Sequence, residues 1–278
     1  MRAAAVQLAS TEDQARNLEV AERLVREAAA GGAELVVLPE RMDIRGRNQA
    51  YEAGAEPLES GRAVTWAREL ARELGIDLVA GSVAERREGH DKLSNTSVHA
   101  GPDGDLKAVY RKIHMFDVVV GDIEYRESQL HEPADEIVLS ETAGGVPLGL
   151  TICYDLRFPE LYRILALRGA RVITIPSNFT KPTGQAHWEV LNRARAIENQ
   201  VFVVAPGQAG PQLPEGESYG NSIIVNPWGQ VLARAPEGGQ CFVAADLDLE
   251  RQDEVREQLP SLANRIPGAY RWPEEVPA

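Results

Sequence analysis

The sequence predicts an α/β protein built as a four-layer α-β-β-α sandwich of two mixed sheets, and three observations carry that prediction. Uninterrupted apolar runs, Leu35-Val36-Val37-Leu38 and Val172-Ile173-Thr174-Ile175 among them, alternate with amphipathic helical stretches, as expected for strands buried on both faces. Each half of the chain then changes to a hairpin, an antiparallel element that a purely parallel sheet does not contain. The two halves also share a grammar, each with an apolar strand closed by proline, Leu38-Pro39 and Ile175-Pro176. The hairpins argue against a (β/α)8 barrel, which 278 residues would otherwise allow. Two stacked sheets with helices outside satisfy all three observations.

Val6 to Leu8 reads as the first strand, and Thr11-Glu12-Asp13-Gln14 has the form of a capping box. The helix it opens carries Leu18, Ala21, Leu24, Val25 and Ala28 on one face and stops at Gly31-Gly32. After the strand Leu35–Leu38, a second helix from about Arg62 to Leu74, ended by Gly75, leads into Leu78-Val79-Ala80-Gly81. Ser94–Ala100 and Leu106–Lys112 alternate around the turn Gly101-Pro102-Asp103-Gly104 and form the first hairpin. The second half resumes at Gly149–Ile152, followed by a helix from about Phe158 to Arg168, the strand Val172–Ile175, a helix from His187 to Glu198 and Val201–Val204. Ser222–Asn226 and Val231–Ala233 flank the turn Pro227-Trp228-Gly229-Gln230, and Cys241–Leu247 is the last strand before a polar tail. No linker rich in Pro, Gly or Ser divides the chain. We therefore expect one domain over residues 1–250 and a tail, 251–278, that packs on it or on a partner subunit.

Lys and Arg number 29 against 42 Asp and Glu, a formal net charge of -13. That excess opposes phosphate backbones and anionic lipid surfaces, so neither nucleic acid nor membrane is expected as a partner. The N-terminus reaches polar Ser10-Thr11-Glu12-Asp13 too soon for a secretory core, and no apolar stretch approaches ~20 residues. A soluble, cytoplasmic protein is the expectation. The five histidines show no paired metal-ligand spacing, and phosphate-loop and dinucleotide fingerprints are absent, so no cofactor is expected.

Ligands of α/β folds gather beyond the carboxyl ends of strands. That rule selects Glu40, Lys112 and Cys153, a carboxylate, an ammonium and a thiol. Singly, each has a plain alternative: a solvated loop acid, a surface lysine, a small buried hydrophobe. Together they suit nucleophilic catalysis. Cys153 precedes a helix opened by Phe158-Pro159-Glu160, and a lysine with a helix N-terminus would favour its thiolate. Cys241, in an apolar strand without such neighbours, reads as a core residue.

Three segments, Leu38-Pro39-Glu40, Tyr110–Asp117 and Cys153–Leu161, resemble in order the signature segments of the nitrilase superfamily of carbon-nitrogen hydrolases. Thr183–Glu189 and Arg193–Gln200 are similar to its Nit branch of omega-amidases and deaminated glutathione amidases, the tail Leu259–Arg265 to the latter. The resemblance implies the four-layer fold and a Glu-Lys-Cys triad of Glu40, Lys112 and Cys153. It also implies hydrolysis of a small linear carboxylate-bearing amide, of the 2-oxo acid omega-amide or deaminated glutathione type, to carboxylate and ammonia through a cysteine thioester, without metal or organic cofactor. Glu127 matches a second glutamate supporting the lysine, with Glu124 as competitor because Val118–Tyr125 departs from the family's glycine-rich form. The backbone N–H of Tyr154 would join Lys112 in holding the oxyanion. Arg157 matches a carboxylate-binding position, against a salt bridge to Glu160; Phe179 and Thr183 match pocket positions. His187-Trp188-Glu189 is expected to pack within a buried helix. A homodimer or higher homo-oligomer is implied, with Leu161, Tyr162 and Leu165 as an apolar contact patch.

Other chemistries remain in view. Gly216-Glu217-Ser218-Tyr219-Gly220 fits the serine-hydrolase elbow but lacks the strand before and helix after that the elbow needs. Asn95-Thr96-Ser97 fits a glycosylation acceptor and reads as incidental. Within the enzyme class a nitrilase is the alternative, and outside it a non-catalytic binding protein with this fold.

Overall fold

Ala3-Ala4-Ala5 are weak strand formers by propensity, yet in the computed structural model, which describes residues 1–211 and 216–271, they form a strand paired on both sides within a sheet. The first half of the chain runs β1 (Arg2–Gln7), α1 (Gln14–Ala30), β2 (Leu35–Val37), α2 (Asn48–Gly54), α3 (Arg62–Leu74), β3 (Asp77–Val79), β4 (Val83–Glu85), β5 (Ser94–Ala100), β6 (Leu106–Arg111), β7 (Asp117–Val120) and β8 (Ile123–Arg126). The second runs β9 (Leu139–Glu141), β10 (Pro147–Leu150), α4 (Pro159–Leu167), β11 (Val172–Thr174), α5 (Lys181–Asn199), β12 (Phe202–Ala205), β13 (Ala209–Pro211), β14 (Glu217–Tyr219), β15 (Ile223–Val225), β16 (Val231–Arg234), β17 (Cys241–Asp246) and α6 (Leu249–Gln258).

Two large sheets follow the predicted repeat. In one, parallel β1, β2 and β3 are flanked by antiparallel β17 on one side and the β5–β6 hairpin on the other, with β4 also pairing β5. In the other, parallel β10, β11 and β12 are flanked by antiparallel β9 and by the β15–β16 hairpin. The C-terminal strand β17 thus takes, beside β1, the place that β9 holds beside β10. Side chains alternate between two apolar layers. Ala3, Ala5, Leu35 and Val37 face the second sheet, where Leu148, Leu150, Val172 and Val204 meet them. Ala4, Val6, Val36 and Leu38 face α1 and α3 through Leu24, Val25, Ala67 and Leu70. Continuous apolar runs are the consequence of burial on both faces.

Several boundaries differ from the expectation. The first strand starts at Arg2 rather than Val6, because pairing with β2 and β17 and complete burial of the alanines override propensity. Helix α1 is capped by Asp13, whose Oδ1 accepts from Arg16 N at 3.1 Å, not by a Thr11–Gln14 box. Thr11 Oγ1 instead accepts from Asp13 N, and Glu12 accepts from Arg47 N. Helix α5 begins at Lys181, six residues before His187. Pro182 is harmless in a first turn, and Gly184 is required because a Cβ there would run into Tyr219. Trp188 of α5 is buried against Phe179, whereas His187 is exposed, so only part of that segment packs inward. Helix α2 and the β7–β8 hairpin were not foreseen. The hairpin turns at Gly121 with φ 61°, and its inward face is only half-buried, with Ile123 and Tyr125 lining a cavity rather than a packed core.

Leu161, Tyr162 and Leu165 are buried in the protein's own core and offer no contact patch. The exposed apolar residues of α4 are Ile164 and Leu167. Cys241 is half-buried on β17 rather than in the core. Beyond residue 250, Gln252 Nε2 donates to the carbonyls of Arg171 and Gln200, and Val255 is buried. Among the described residues no helix is long and apolar enough to cross a membrane.

Gly81 holds the end of β3 against the loop that carries Glu40. Its φ is +48°, and a Cβ would collide with the carbonyl oxygens of Leu38 and Pro39. Gly81→Ala is expected to cost about 1–3 kcal/mol from backbone strain alone, read as a lower urea midpoint; an unchanged midpoint would refute the close approach.

Candidate active site

Each of the three selected side chains stands just past a strand. Glu40 lies three residues after β2, Lys112 directly after β6, and Cys153 three residues after β10, so the two sheets meet at a common rim. They line one cavity of about 660 Å³ together with Glu127, Tyr154, Arg157, Phe179 and Thr183.

A closed ring of hydrogen bonds organises its floor. Lys112 Nζ donates to Glu40 Oε1 at 2.9 Å and to Glu127 Oε2 at 2.8 Å. Asn95 Nδ2 donates to Glu40 Oε1 at 2.9 Å and to Glu127 Oε1 at 3.0 Å. The two carboxylates are thus bridged on one side by a cation and on the other by an amide. Arg41 Nη2 (3.2 Å) and Phe116 N (2.8 Å) complete Glu127, and Asn178 N (3.0 Å) completes Glu40 Oε2. All four ring members are buried, so each charge needs its partner. Burial favours neutral Lys112, but the charges of Glu127 and Glu40 outweigh it and hold the ammonium well above its ordinary value. Burial likewise opposes ionised Glu127, yet Lys112 and Arg41 keep its carboxyl below the usual range. Glu124 sits outside this arrangement, exposed on β8 and bonded to Arg126 at 2.8 Å.

Cys153 begins a 3-10 turn, Cys153–Arg157, with φ 46°, a left-handed conformation uncommon for a side-chain-bearing residue. Its N–H donates to Pro176 O at 2.8 Å. Asp155 fastens the turn: Oδ2 accepts from Ile152 N (2.8 Å) and Tyr110 OH (2.6 Å), and Oδ1 accepts from His114 N at 3.3 Å and lies 2.7 Å from its Nδ1. Tyr110 and His114 flank Lys112 in sequence, so one buried carboxylate ties the thiol's turn to the lysine's strand. The expected thiolate is not favoured. Burial and the charge of Glu40 push the Cys153 thiol well up, and Lys112 only partly opposes them. Helix α4 starts six residues further on, at Pro159, too far for its terminus to act on the sulfur. The resting group is a thiol with a carboxylate beside it.

Towards the cavity mouth, Tyr154 packs edge-on against Phe116 and Phe158. The Arg157 guanidinium lies 5.5 Å from the Phe179 ring centroid and 5.8 Å from that of Tyr154, with His187 Nδ1 at 3.4 Å. No carboxylate among the described residues pairs with it; the salt bridge to Glu160 is not formed. Thr183 Oγ1 lies 2.8 Å from Thr180 Oγ1.

The serine motif is not an elbow. Ser218 lies in β14, buried, and a short loop and β15 follow it rather than a helix; residues 212–215 before it lie outside the described residues. Asn95 is a buried member of the ring, inaccessible as a glycosylation acceptor. Asn95, Asp155 and Arg41, with Asn178 and Phe116, are among the residues sequence reasoning missed as site components. Their signals were slight: Ser94-Asn95-Thr96-Ser97 is a polar run inside a wholly buried strand, and Arg41, with φ 57°, is a bulky residue in left-handed backbone next to Glu40. Among the described residues no group of three or more His, Cys, Asp or Glu side chains is arranged to hold a metal ion.

His131, behind Glu127, supplies a titration. It is buried with Nδ1 unpartnered, and burial together with the charges of Arg41 and Lys112 lowers its pKa to about 3. The unfolded chain takes up this proton below about 6.5 while the folded chain refuses it until about 3, so stability falls as pH drops through that window. Urea unfolding between pH 7 and 5 is expected to show this loss, shallower in His131→Gln; equal slopes would exclude His131 as its source.

Comparison with known proteins yields concordant matches. The carbon-nitrogen hydrolase family model matches residues 2–257. The bovine deaminated glutathione amidase is 42% identical over 275 residues, covering 96% of this chain and 82% of that protein. The omega-amidase NIT2 of Xenopus tropicalis is 38% identical over 275 residues, covering 99% of this chain and 98% of its own. The crystal structure of Saccharomyces cerevisiae Nit3, described as a member of branch 10 of the nitrilase superfamily, superposes with a TM-score of 0.85 at 33% identity, covering 94% of each chain.

Proposed function

The chain belongs to the carbon-nitrogen hydrolase family, and from that premise we propose that it is an amidase cleaving a small linear amide that carries a carboxylate, with Cys153 as nucleophile. It is a hydrolase of carbon-nitrogen bonds in amides, as are its relatives at 38–42% identity over nearly the whole chain. The observation that carries the assignment of residues is the Glu40–Lys112–Glu127 ring beside Cys153 in a single cavity.

The protonated thiol sets the order of events. Glu40 removes the Cys153 proton as sulfur attacks the amide carbon, because a thiol with a raised pKa is a poor nucleophile unaided. Lys112, two of whose donors are committed to Glu40 and Glu127, has a third N–H for the developing oxyanion, joined by the backbone N–H of Tyr154. Glu40 then passes its proton to the leaving nitrogen. Ammonia departs and an acyl thioester remains. Water, deprotonated by Glu40, attacks the thioester; the carboxylate product leaves and the proton returns to sulfur. Glu127 stays ionised and keeps Lys112 charged throughout. Arg157, without an acidic partner among the described residues, is the group to receive the substrate's carboxylate, since its planar fork matches that geometry.

We further propose residues 1–250 as the hydrolase domain, 251–278 as a tail packed at least in part on it, and a homo-oligomer joined through the exposed apolar residues Ile164, Leu167, Val190 and Ile197 of α4 and α5.

Ammonia release from succinamate is the direct test. Cys153→Ala is expected to abolish it while leaving the unfolding midpoint near that of the parent, and retained turnover would overturn the assignment. Lys112→Ala should lower kcat on the order of 10²–10³-fold with a smaller change in KM, the signature of a group that acts in the transition state. Arg157→Leu should raise KM for succinamate about 10- to 100-fold and barely affect an uncharged amide such as butyramide; equal losses on both would remove the carboxylate role.

A further inference from the structure

Gln208, in the loop between β12 and β13, is fully buried where the rims of the two sheets meet. Oε1 of its side chain accepts from Ser10 N at 3.0 Å, and Nε2 donates to Glu40 O at 3.0 Å, Arg41 O at 3.1 Å and Ser10 Oγ at 3.0 Å. A backbone N–H only donates and a backbone carbonyl only accepts, so turning this amide over would set its oxygen against two carbonyls. Ser10 Oγ passes its own hydrogen to Met42 O, 2.9 Å away. Glu40 O and Arg41 O reach the same amide because Arg41 has left-handed backbone, φ 57°, which turns successive carbonyls to one side as in a helical turn. At a bulky residue such a conformation persists only where its surroundings over-determine it. Here Ser82 Oγ accepts from Arg41 N at 3.0 Å, and Gln208 satisfies the carbonyls on either side of the Arg41 Cα.

The main chain of Gln208 provides a second grip. Its N–H donates to Ser177 O at 2.9 Å, and the next residue, Asn178, donates its own N–H to Glu40 Oε2 at 3.0 Å. Glu40 is thus held at its carbonyl by the Gln208 side chain and at its carboxylate through the Ser177–Asn178 peptide. We propose that Gln208 is a positioning residue for the general base: it keeps the Glu40–Arg41 backbone in the turn that aims the carboxylate at the Cys153 sulfur and at the leaving nitrogen. The inference rests on the amidase reading and concerns how the base is aimed. Acylation by an amide asks Glu40 for two transfers. It takes the thiol proton as the C–S bond forms and delivers it to nitrogen as the C–N bond breaks, so that ammonia leaves neutral. A nitrophenyl ester asks only for the first, because nitrophenolate departs as an anion and the proton stays on Glu40. Loss of aim therefore harms amide cleavage more than ester cleavage.

The test compares succinamate with mono(4-nitrophenyl) succinate, which carry the same acyl group, form the same thioester and differ only in what leaves. The measured quantity is the ratio of their kcat/KM values, amide over ester, which reports acylation and is independent of the fraction of folded enzyme. A variant that is merely less stable loses both activities in proportion. Gln208→Met keeps the volume and removes the donors; it should lower the ratio about 10-fold, within the roughly 100-fold that a 1 Å misplacement of a reacting group can cost. Gln208→Glu keeps an acceptor for Ser10 N, but its other oxygen can donate to the two carbonyls only when protonated, and burial against them raises its pKa. Relative to the parent, its ratio should be highest near pH 5.5 and fall as the pH rises to about 8. A parental ratio in Gln208→Met, or a Gln208→Glu ratio that follows the parent's at every pH, overturns the positioning role; if Gln208→Met does not fold, the Gln208→Glu profile decides. Failure of the parent to release ammonia from succinamate overturns the amidase reading itself and this inference with it.

Discussion

The structure depends on keeping one ammonium charged between two carboxylates out of water. Lys112, Glu40 and Glu127 are almost fully buried, and isolated charges in such a place would neutralise or force the site open. Lys112 and Glu127 are held in their charged forms because every side of the cluster is supplied with a partner. Asn95 comes from β5, Lys112 from the end of β6, Glu127 and Phe116 from the two ends of the β7–β8 hairpin, Arg41 from the loop after β2, and Asn178 from the loop after β11. Removing any of these leaves a buried charge short of a bond, which costs more than the bond itself contributes. The ring therefore specifies how the rims of both sheets must meet.

That requirement explains the pseudo-repeat. Neither half can complete the site, because the acid and the base-supporting lysine come from the first sheet and the thiol from the second. The apolar layer between the sheets brings them together without fixing their relative position, since hydrophobic contact is non-directional. Asp155 provides the direction. With its oxygens engaged by Ile152 N, Tyr110 and His114, it locks the strained turn at Cys153 to the strand that ends at Lys112. A left-handed φ at Cys153 persists because the bonds around it over-determine it.

Sequence reasoning reached the layers and the three reacting groups because both leave strong local signals. Runs such as Leu35–Leu38 show the strands buried on both faces, and the residue just past a strand's end is where chemistry collects. The supporting residues leave weaker ones. Asn95 sits in a strand whose polar side chains look like a solvated edge, and only the partner carboxylates from Glu40 and Glu127, 55 and 32 residues away, explain its burial. The thiol's state was misjudged for a related reason. Proximity to a lysine can be read from a motif, but the desolvation that outweighs it depends on packing from several distant elements. Boundaries failed where tertiary pairing overrode propensity, as in β1, or at the start of α5, where Pro182 and Gly184 fit the first turns of the helix.

The raised thiol pKa and the net charge of -13 bear on the same question, how an acidic protein attracts and activates against an anionic substrate. Surface charges further away than roughly 8 Å are screened at physiological salt, so the global sign sets encounter rates more than affinity. Inside the cavity the balance is local. Glu40 and Glu127 are matched by Lys112 and Arg41, and Glu124 by Arg126, whereas no carboxylate among the described residues pairs with Arg157 at the wall. A carboxylate arriving there meets a guanidinium that no described acid already holds. The thiol, kept neutral until Glu40 takes its proton, adds no second negative charge to repel that substrate before the amide is in place. Burial that weakens the nucleophile at rest thus permits an anion to enter beside it, and Glu40, bonded directly to Lys112, restores its reactivity when the carbonyl carbon is within reach.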